Sequence, residues 1–300
     1  MYHRIAEDTF DPWGDVVGPQ NFREQMDWLT ANRTVMRLAE FADHHRRGTL
    51  PQDAIAITID DGYSCVSEIA APLLEKLGIP ATVFISPAII SKGVFWWNEL
   101  QSIVLGHDGT LLDFNGHRFV LGEKSPIDHV WVPGTAPSTP RQRAYAEIQT
   151  ILSRLPPDEL NRNMDALCSL VPPAVDATKR AMSPEEVRRT ASDLLEFGSH
   201  ALTHAWLPSL TDDQQKREIE DSVEQCKDLT GRKPSAFAYP FGMFDERAKK
   251  RAAAAGFDCA CTTQNLAVSS RSSTYALPRL AVGNWGAASL ARALNRLCLA

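Results

Sequence analysis

Several common sequence features are scarce in this chain of 300 residues, and each absence argues against one class of protein. No apolar run approaches the roughly 20 residues that a membrane-spanning helix needs, so we expect no transmembrane segment. No block of lysine and arginine stands out and the net charge is -6, which argues against nucleic acid as a partner. The opening residues also lack the apolar stretch of a secretory signal.

The six cysteines are scattered, and their spacing fits neither a disulfide framework nor a zinc knuckle. Cys259 and Cys261 lie two apart, at strand spacing, and we interpret them as small core residues. Because no export signal is visible, we expect reduced thiols and a cytoplasmic location. The first predicted strand looks clipped, since His3 has almost nothing before it, and an upstream segment could therefore be missing.

The residues that are present favour an α/β fold. Hydrophobic residues make up 44% of the chain, enough for one α/β barrel or one doubly wound domain. Predicted strands and helices alternate over the first hundred residues, which predicts parallel strands with right-handed crossovers. Strands are predicted near the positions 54–59, 81–86, 197–199, 236–239, 257–262 and 275–280, and a long amphipathic helix over 211–230.

The alternation of strands and helices breaks at 100–180. A hairpin is predicted over 110–121, around Asn115-Gly116, followed by a loop and two polar amphipathic helices over 141–155 and 157–170. We interpret 100–180 as an insertion within a single domain that spans 1–300. Such an insertion could act as a lid or a substrate-specific cap.

Two adjacent carboxylates end the apolar strand that begins at Ala54. Ile55, Ile57 and Ile59 give this segment its β-branched density, and Asp60 and Asp61 follow directly. Like charges this close repel each other, so a metal, a cation or a proton must neutralise one of them. The alternative is a simple turn or helix N-cap, since Asp followed by Gly favours both.

A second polar pair follows a later strand, in the segment Ser199-His200-Ala201-Leu202-Thr203-His204. Two imidazoles at this spacing, together with a carboxylate, make a two-His-one-carboxylate site for a divalent metal, although two surface histidines fit the pair alone equally well. Zn²⁺ is the default ion, and Fe, Co, Ni or Mn would suit similar ligands. With the two aspartates at another strand end, the pattern predicts metal-assisted hydrolysis of an amide or ester at the carboxyl face of a barrel.

Four segments in order, TIDDG, SHALTH, FAYPFG and ALPRL, resemble the polysaccharide deacetylases that share the NodB homology domain, carbohydrate esterase family 4. The resemblance covers about 54–90 and 180–283. It implies a deformed (β/α)7 barrel and the metal-dependent removal of N-acetyl groups from N-acetylglucosamine-type sugars. By position it makes Asp60 the general base and Asp61, His200 and His204 the metal ligands, with the N–H of Phe241 holding the oxyanion.

The chain departs from the family pattern at two places that bear on catalysis. The arginine that orients the base is replaced by Ala238, and Arg279 could reach the same carboxylate from another direction. The late histidine that protonates the leaving amine is absent, because Leu277-Pro278-Arg279 stands there, and arginine cannot act as a general acid. Some members of the wider family resemble this chain in having an N-terminal Tyr-His instead, and this resemblance makes His3 the candidate acid. The alternatives are that His3 only forms a hydrogen bond at the barrel rim, or that water protonates the amine.

Aromatic residues near these motifs are candidate sugar contacts. They are Tyr63, Trp96, Trp97 and Tyr239, with Pro240 beside them. Trp96 and Trp97 resemble an aromatic pair near the site of some family members, and simple packing is the alternative for Tyr63. Core packing explains the two tryptophans about as well. The leading hypothesis is thus an N-deacetylase acting on N-acetylhexosamine units of a polysaccharide or its precursor. An O-acetyl esterase, or a deformylase acting on a lipid-linked sugar, is the second hypothesis, and a non-catalytic carbohydrate-binding barrel is the third.

Overall fold

The computed structural model describes residues 1–174 and 176–298. The strands, in chain order, are β1 (Arg4–Ile5), β2 (Val16–Val17), β3 (Thr34–Val35), β4 (Ala54–Ile55), β5 (Ile57–Ile59), β6 (Ala81–Ile85), β7 (Leu111–Phe114), β8 (His117–Val120), β9 (Leu195–Ser199), β10 (Ala236–Ala238) and β11 (Cys259–Cys261). The α-helices are α1 (Pro19–Asn32), α2 (Leu38–Arg47), α3 (Ala71–Leu77), α4 (Pro87–Lys92), α5 (Trp96–Gly106), α6 (Pro140–Leu152), α7 (Pro157–Leu170), α8 (Pro184–Thr190), α9 (Asp212–Lys216), α10 (Ser222–Thr230), α11 (Glu246–Ala254) and α12 (Ala287–Cys298).

The chain forms two compact units. The first contains Met1–Glu7, Asp15–Gly93 and the residues from Ala181 onward, and the second contains Asp8–Gly14 and Val94–Arg180. No helix within the described ranges is long and apolar enough to span a membrane.

A five-stranded parallel sheet in the order β11-β10-β9-β6-β5 forms the centre of the first unit. Its strands are buried on both faces, and all five residues of β6, Ala-Thr-Val-Phe-Ile, are buried. Near-continuous apolar runs of this kind are typical of parallel strands covered by helices on both sides. The alternation of strands and helices therefore predicted the sheet correctly.

Irregular segments extend this sheet at both edges. Tyr2 pairs with Ile59 of β5, and Leu277 pairs with Cys261 of β11, each in parallel. The Met1 nitrogen donates a hydrogen bond of 2.9 Å to the carbonyl of Leu280, which brings the two edge segments together. The ring thus has seven strand-like positions, five regular and two irregular, and the predicted deformed (β/α)7 barrel is confirmed.

The strand predicted over 275–280 is wrong as a regular element. Only Leu277 forms a ladder bridge there, and the next residue is Pro278, which has no N–H to donate. The apolar pattern was correct about the position of this segment in the ring. It could not show that regular strand pairing would be limited to Leu277, with only separate hydrogen bonds at Arg279 and Leu280 beyond it.

The second unit contains the elements predicted between 110 and 170. Strands β7 and β8 form an antiparallel hairpin, and both turn residues, Asn115 (φ 51°) and Gly116 (φ 75°), have the left-handed conformation that a tight hairpin needs. Helices α6 and α7 follow. Arg141 is fully buried and donates hydrogen bonds to four backbone carbonyls, that of Val104 in the last turn of α5 and those of the loop residues His107, Gly109 and Gly122. The lid or cap function of 100–180 remains a prediction.

Candidate active site

The candidate site residues gather where three strands of the parallel sheet, β5, β9 and β10, end. Asp60 and Asp61 follow β5, His200 follows β9, and Pro240 and Phe241 follow β10 after one residue. Because the sheet is parallel, all these carboxyl ends lie at one edge, where ligands bind in α/β proteins.

Asp61, His200 and His204 form a cluster that could hold a metal ion. Asp61 Oδ1 lies 3.7 Å from His200 Nε2 and 3.5 Å from His204 Nε2. Bonds of about 2.0–2.2 Å meeting at a tetrahedral angle would separate two ligand atoms by roughly 3.4 Å. The spacing and the donor set, two imidazoles and one carboxylate, therefore fit a divalent cation, with further coordination positions left for water and substrate.

A backbone carbonyl fixes the tautomer of His200. The Nδ1 atom lies 2.7 Å from the carbonyl oxygen of Ala238, and a carbonyl can only accept a hydrogen bond. Nδ1 must therefore carry the proton, which leaves the lone pair of Nε2 facing Asp61. This second hydrogen bond is the usual way in which proteins orient a metal-binding imidazole.

Burial sets the protonation preferences of the three cluster residues. Burial lowers the pKa of His200 to about 4, and burial followed by the charge of His200 lowers the pKa of His204 well below its ordinary value. Both imidazoles are thus neutral, as metal ligands must be. Burial also raises the pKa of Asp61 to about 7, and a bound cation would favour its ionised form.

Asp60 is held in a different electrostatic state by Arg279. The guanidinium donates two hydrogen bonds of 2.7 Å, from Nη1 to Oδ1 and from Nη2 to Oδ2. Both side chains are buried. Burial alone would raise the pKa of Asp60, but the charge and hydrogen bonds of Arg279 hold it well below its ordinary value. Arg279 itself is fixed by the Thr262 carbonyl and the Thr58 hydroxyl, which accept from Nε and Nη1.

Four residues in or next to this site have the left-handed backbone conformation that glycine usually adopts. They are Asp61 (φ 73°), Ala201 (φ 60°), His204 (φ 62°) and Phe241 (φ 58°). Each such residue costs on the order of 1–3 kcal/mol and persists only where its surroundings hold it. Asn115 is the one further non-glycine residue with positive φ in the described chain. Strain is therefore concentrated at the carboxyl edge of the barrel.

His3 lies on the segment that closes the ring beside β5. Its Nδ1 atom lies 3.3 Å from Asp15 Oδ1, and its side chain is 18% exposed. Burial would lower the pKa of His3, but the carboxylates of Asp15, Asp61 and Asp60 raise it above its ordinary value. A partly accessible imidazole with a raised pKa is suited to donating a proton.

The predicted sugar contacts have mixed positions. Tyr63 is buried and pairs with Ala181, and Pro240 is also buried. The side chain of Tyr239 is fully buried, and its hydroxyl donates to the Tyr275 carbonyl, so this hydroxyl serves the core. Trp96 and Trp97 belong to the second unit, with their rings edge to face at 5.5 Å, and their contact with sugar remains a prediction.

An aromatic pair that sequence reasoning missed lies next to the metal cluster. The ring of Phe241 lies 4.6 Å from His204, and the ring of Trp206 lies 5.3 Å from Phe241. Both rings are half-buried. The position of Trp206 two residues after His204 was the available signal.

A parallel α/β barrel whose carboxyl edge carries an Asp-His-His cluster beside an arginine-paired aspartate is typical of metal-dependent hydrolases. The polysaccharide deacetylase family model matches residues 47–108 and 161–260, more than half of the chain. The chain therefore belongs to the polysaccharide deacetylase family.

Individual proteins of known class show the same relationship. Over 99 residues, 28% of this chain, the sequence is 29% identical to the poly-β-1,6-N-acetyl-D-glucosamine N-deacetylase of Staphylococcus epidermidis. The fold matches the Streptococcus pyogenes deacetylase PplD with a TM-score of 0.62 at 15% identity, over 98% of this chain and 95% of that one. IcaB from Ammonifex degensii matches with a TM-score of 0.59 at 16% identity, over 100% and 95% of the two chains.

These comparisons differ in what they cover. The alignments reach only about a third of the length of curated relatives, 37% for a Bacillus subtilis protein and 34% for the S. epidermidis enzyme. The structural matches span nearly the whole chain, and at 15–16% identity they establish the fold alone.

Proposed function

We propose that this protein is a metal-dependent N-deacetylase that acts on N-acetylhexosamine units of a polysaccharide or its precursor. The observation that carries the proposal is the convergence of Asp61, His200 and His204 at one point, with the ionised Asp60 alongside. Family membership supports the same reaction class.

Asp61, His200 and His204 are the residues that would hold the metal, and zinc suits two imidazoles and a carboxylate. A cation bound there would lower the pKa of a bound water from about 15.7 towards 7 and polarise the acetamide carbonyl. The identity of the native metal is part of the proposal.

Asp60 would act as the general base that takes a proton from the attacking water. Its Oδ2 lies 3.9 Å from His200 Nε2, so the carboxylate is next to the metal cluster. Arg279 keeps Asp60 ionised and fixes its direction through two hydrogen bonds. A carboxylate with so low a pKa is a weak base. It can nevertheless deprotonate a water whose own pKa has been lowered by a bound metal.

Two further groups would complete the reaction. The N–H of Phe241 would donate to the oxyanion that forms when water adds to the carbonyl. His3, whose pKa is raised by the carboxylate of Asp15, would give its proton to the departing amine.

The relatives and two aromatic rings support the proposed substrate class. The S. epidermidis relative is named as acting on poly-β-1,6-N-acetyl-D-glucosamine. The half-buried ring of Phe241 contacts His204 and the half-buried ring of Trp206 contacts Phe241, and aromatic faces suit the apolar face of a pyranose. We therefore propose that a β-linked N-acetylglucosamine chain binds across them.

The proposal can be tested with purified protein loaded with Zn²⁺. Three chemically defined substrates are compared: an N-acetylated β-1,6-glucosamine oligomer, an O-acetylated sugar without N-acetyl groups, and an N-formyl amino sugar. We expect acetate and a free amine from the first substrate, and loss of this activity after chelation. Release from only the O-acetylated or only the N-formylated sugar would replace the proposal with an esterase or a deformylase, and binding without release would indicate a non-catalytic barrel.

A further inference from the structure

The loop that carries the second imidazole of the metal cluster is conformationally strained. Ala201 and His204, at its two ends, both have left-handed backbone angles. Neither is glycine, so each costs on the order of 1–3 kcal/mol relative to an ordinary conformation. Contacts from elsewhere in the barrel must hold this loop in place.

Glu218 provides three of these contacts. Its carboxylate accepts hydrogen bonds from both polar donors of Thr203, 2.9 Å from the N–H to Oε2 and 2.7 Å from the hydroxyl to Oε1. Its backbone carbonyl accepts a further bond of 2.9 Å from the N–H of Leu202. Glu218 therefore binds the two residues that immediately precede His204.

The position of Glu218 in its helix explains how side chain and carbonyl reach the same loop. The helix predicted over 211–230 is present, but a π-helical turn, Arg217–Asp221, interrupts it between α9 and α10. A π-turn replaces i→i+4 bonds with i→i+5 bonds and redirects carbonyls out of the regular ladder. Such turns occur mostly as single insertions inside α-helices, and they are frequent at functional sites.

Burying the charged carboxylate of Glu218 costs free energy unless hydrogen bonds compensate it. The residue is 4% exposed, and it forms no ion pair within the described part of the chain. Burial raises the pKa of Glu218, and the donors of Thr203 and Leu202 act in the opposite direction. A carboxylate in this position is compensated chiefly by the loop that it holds.

We propose that Glu218 is a positioning residue for the metal site: through Thr203 it holds the strained 201–204 loop so that His204 faces Asp61 and His200. This inference rests on the metal-binding part of the proposed function. It assigns to Glu218 and Thr203 no contact with substrate or with the metal.

The experiment measures the affinity for Zn²⁺ by competition with a chromogenic chelator, and the site geometry by the visible spectrum of bound Co²⁺. We expect Glu218→Gln to weaken Zn²⁺ binding about 10- to 100-fold, the usual effect of removing a group that orients a ligand. Thr203→Ala, which removes only the hydroxyl contact, should weaken it about tenfold. Thr203→Ser keeps both donors and should restore the wild-type affinity.

Glu220→Gln is the matched control. Glu220 lies on the same π-turn and pairs instead with Arg251, at 3.8 Å, so its substitution should leave Zn²⁺ affinity unchanged. If Glu218→Gln does not fold, Thr203→Ala against Thr203→Ser decides the question. Zn²⁺ affinities within twofold of wild type for folded Glu218→Gln, or for Thr203→Ala, would overturn the inference alone. A wild-type protein that binds no Zn²⁺ would overturn the proposed function as well.

Discussion

Asp60 and Asp61 are neighbours in the sequence with opposite electrostatic environments. Arg279 pairs with Asp60 and lowers its pKa, whereas burial raises that of Asp61. The end of β5 thus supplies one carboxylate, Asp60, that Arg279 keeps ionised. It also supplies a second carboxylate, Asp61, whose ionised form a bound cation would stabilise. This division is the physical basis for assigning them different functions.

Asp60→Asn should remove the base and retain the metal. The amide keeps the shape of the side chain but cannot accept a proton, so we expect deacetylation to fall by about 10²–10⁴. Metal content, measured by mass spectrometry of the purified protein, should stay near that of the wild type. Because Arg279 then loses its buried counter-charge, stability should also fall by roughly 3–5 kcal/mol.

The control for this substitution is Asp213→Asn, in an exposed position of α9. Activity should not change there. Assays at a temperature where circular dichroism shows both variants folded separate loss of catalysis from loss of structure. An active Asp60→Asn enzyme would rule out Asp60 as the base.

Asp15→Asn should change the pH dependence of the reaction through His3. Asp15, Asp61 and Asp60 raise the pKa of His3, while burial and Arg279 lower it. As a general acid His3 must be protonated, so the rate falls as the pH rises through its pKa. Removing the charge of Asp15 lowers that pKa and should move the alkaline limb of the kcat profile to lower pH.

The exposed Asp27→Asn, on α1, should leave the profile unchanged. His3→Ala should lower N-deacetylation by about 10²–10⁴ and remove the alkaline limb. A His3→Ala enzyme of full activity would assign proton donation to another group.

Sequence reasoning identified the proposed catalytic and metal-binding residues from their type and spacing, and it missed residues whose contacts depend on the backbone conformation. An Asp-Asp pair and a His-x-x-x-His pair can be read directly, and the structure places Arg279 on Asp60 as expected. Glu218 could not be found in this way, because its contacts depend on a π-turn and on left-handed backbone angles, neither of which leaves a periodic signal. Trp206 offered one signal, its position two residues after His204.

At the scale of secondary structure, the strand β9 has a tight approach that only glycine permits. A Cβ added at Gly198 would lie 2.5 Å from the ring of Phe84 in β6 and 2.8 Å from the carbonyl of Ala236. Both neighbours belong to buried strands and have little room to move. Gly198 therefore allows three adjacent strands to pack in register just before His200.

Gly198→Ala should destabilise the protein by about 1–3 kcal/mol, the usual cost of overpacking. Urea unfolding measures this cost. Gly106→Ala, where an added Cβ meets nothing within 4 Å, should be neutral or slightly stabilising. Equal stability of the two variants would show that the strands can separate to admit the methyl group.

The regular strands were easier to predict than the irregular ones. β5 and β6 are runs of apolar and β-branched residues, and their burial follows from composition. The closing segment contains Pro278, and the first segment contributes a single bridge at Tyr2. The sequence pattern predicts strands from the alternation of side chains. These two segments are instead defined by the hydrogen bonds that they make with neighbouring strands of the barrel.

At the scale of the whole molecule, the barrel brings together residues that are remote in the sequence. Asp61 follows β5, and the two imidazoles follow β9. In the sheet, β6 lies between these two strands. The three ligands converge only when β5 and β9 are both paired with β6. A cation bound there therefore binds the folded state and not the unfolded chain.

This linkage predicts that Zn²⁺ raises the thermal stability of the first unit. At a free concentration of about 100 times Kd, binding to the folded state alone contributes about 2.7 kcal/mol. For a unit of roughly 200 residues that corresponds to about 5–10 °C in Tm. His200→Ala should abolish the rise, because it removes one ligand from the cluster. His117→Ala, on the exposed hairpin strand β8, should retain it in full. Scanning calorimetry with and without the metal measures both, and a Zn²⁺-induced rise that persists in His200→Ala would place the binding site elsewhere in the molecule.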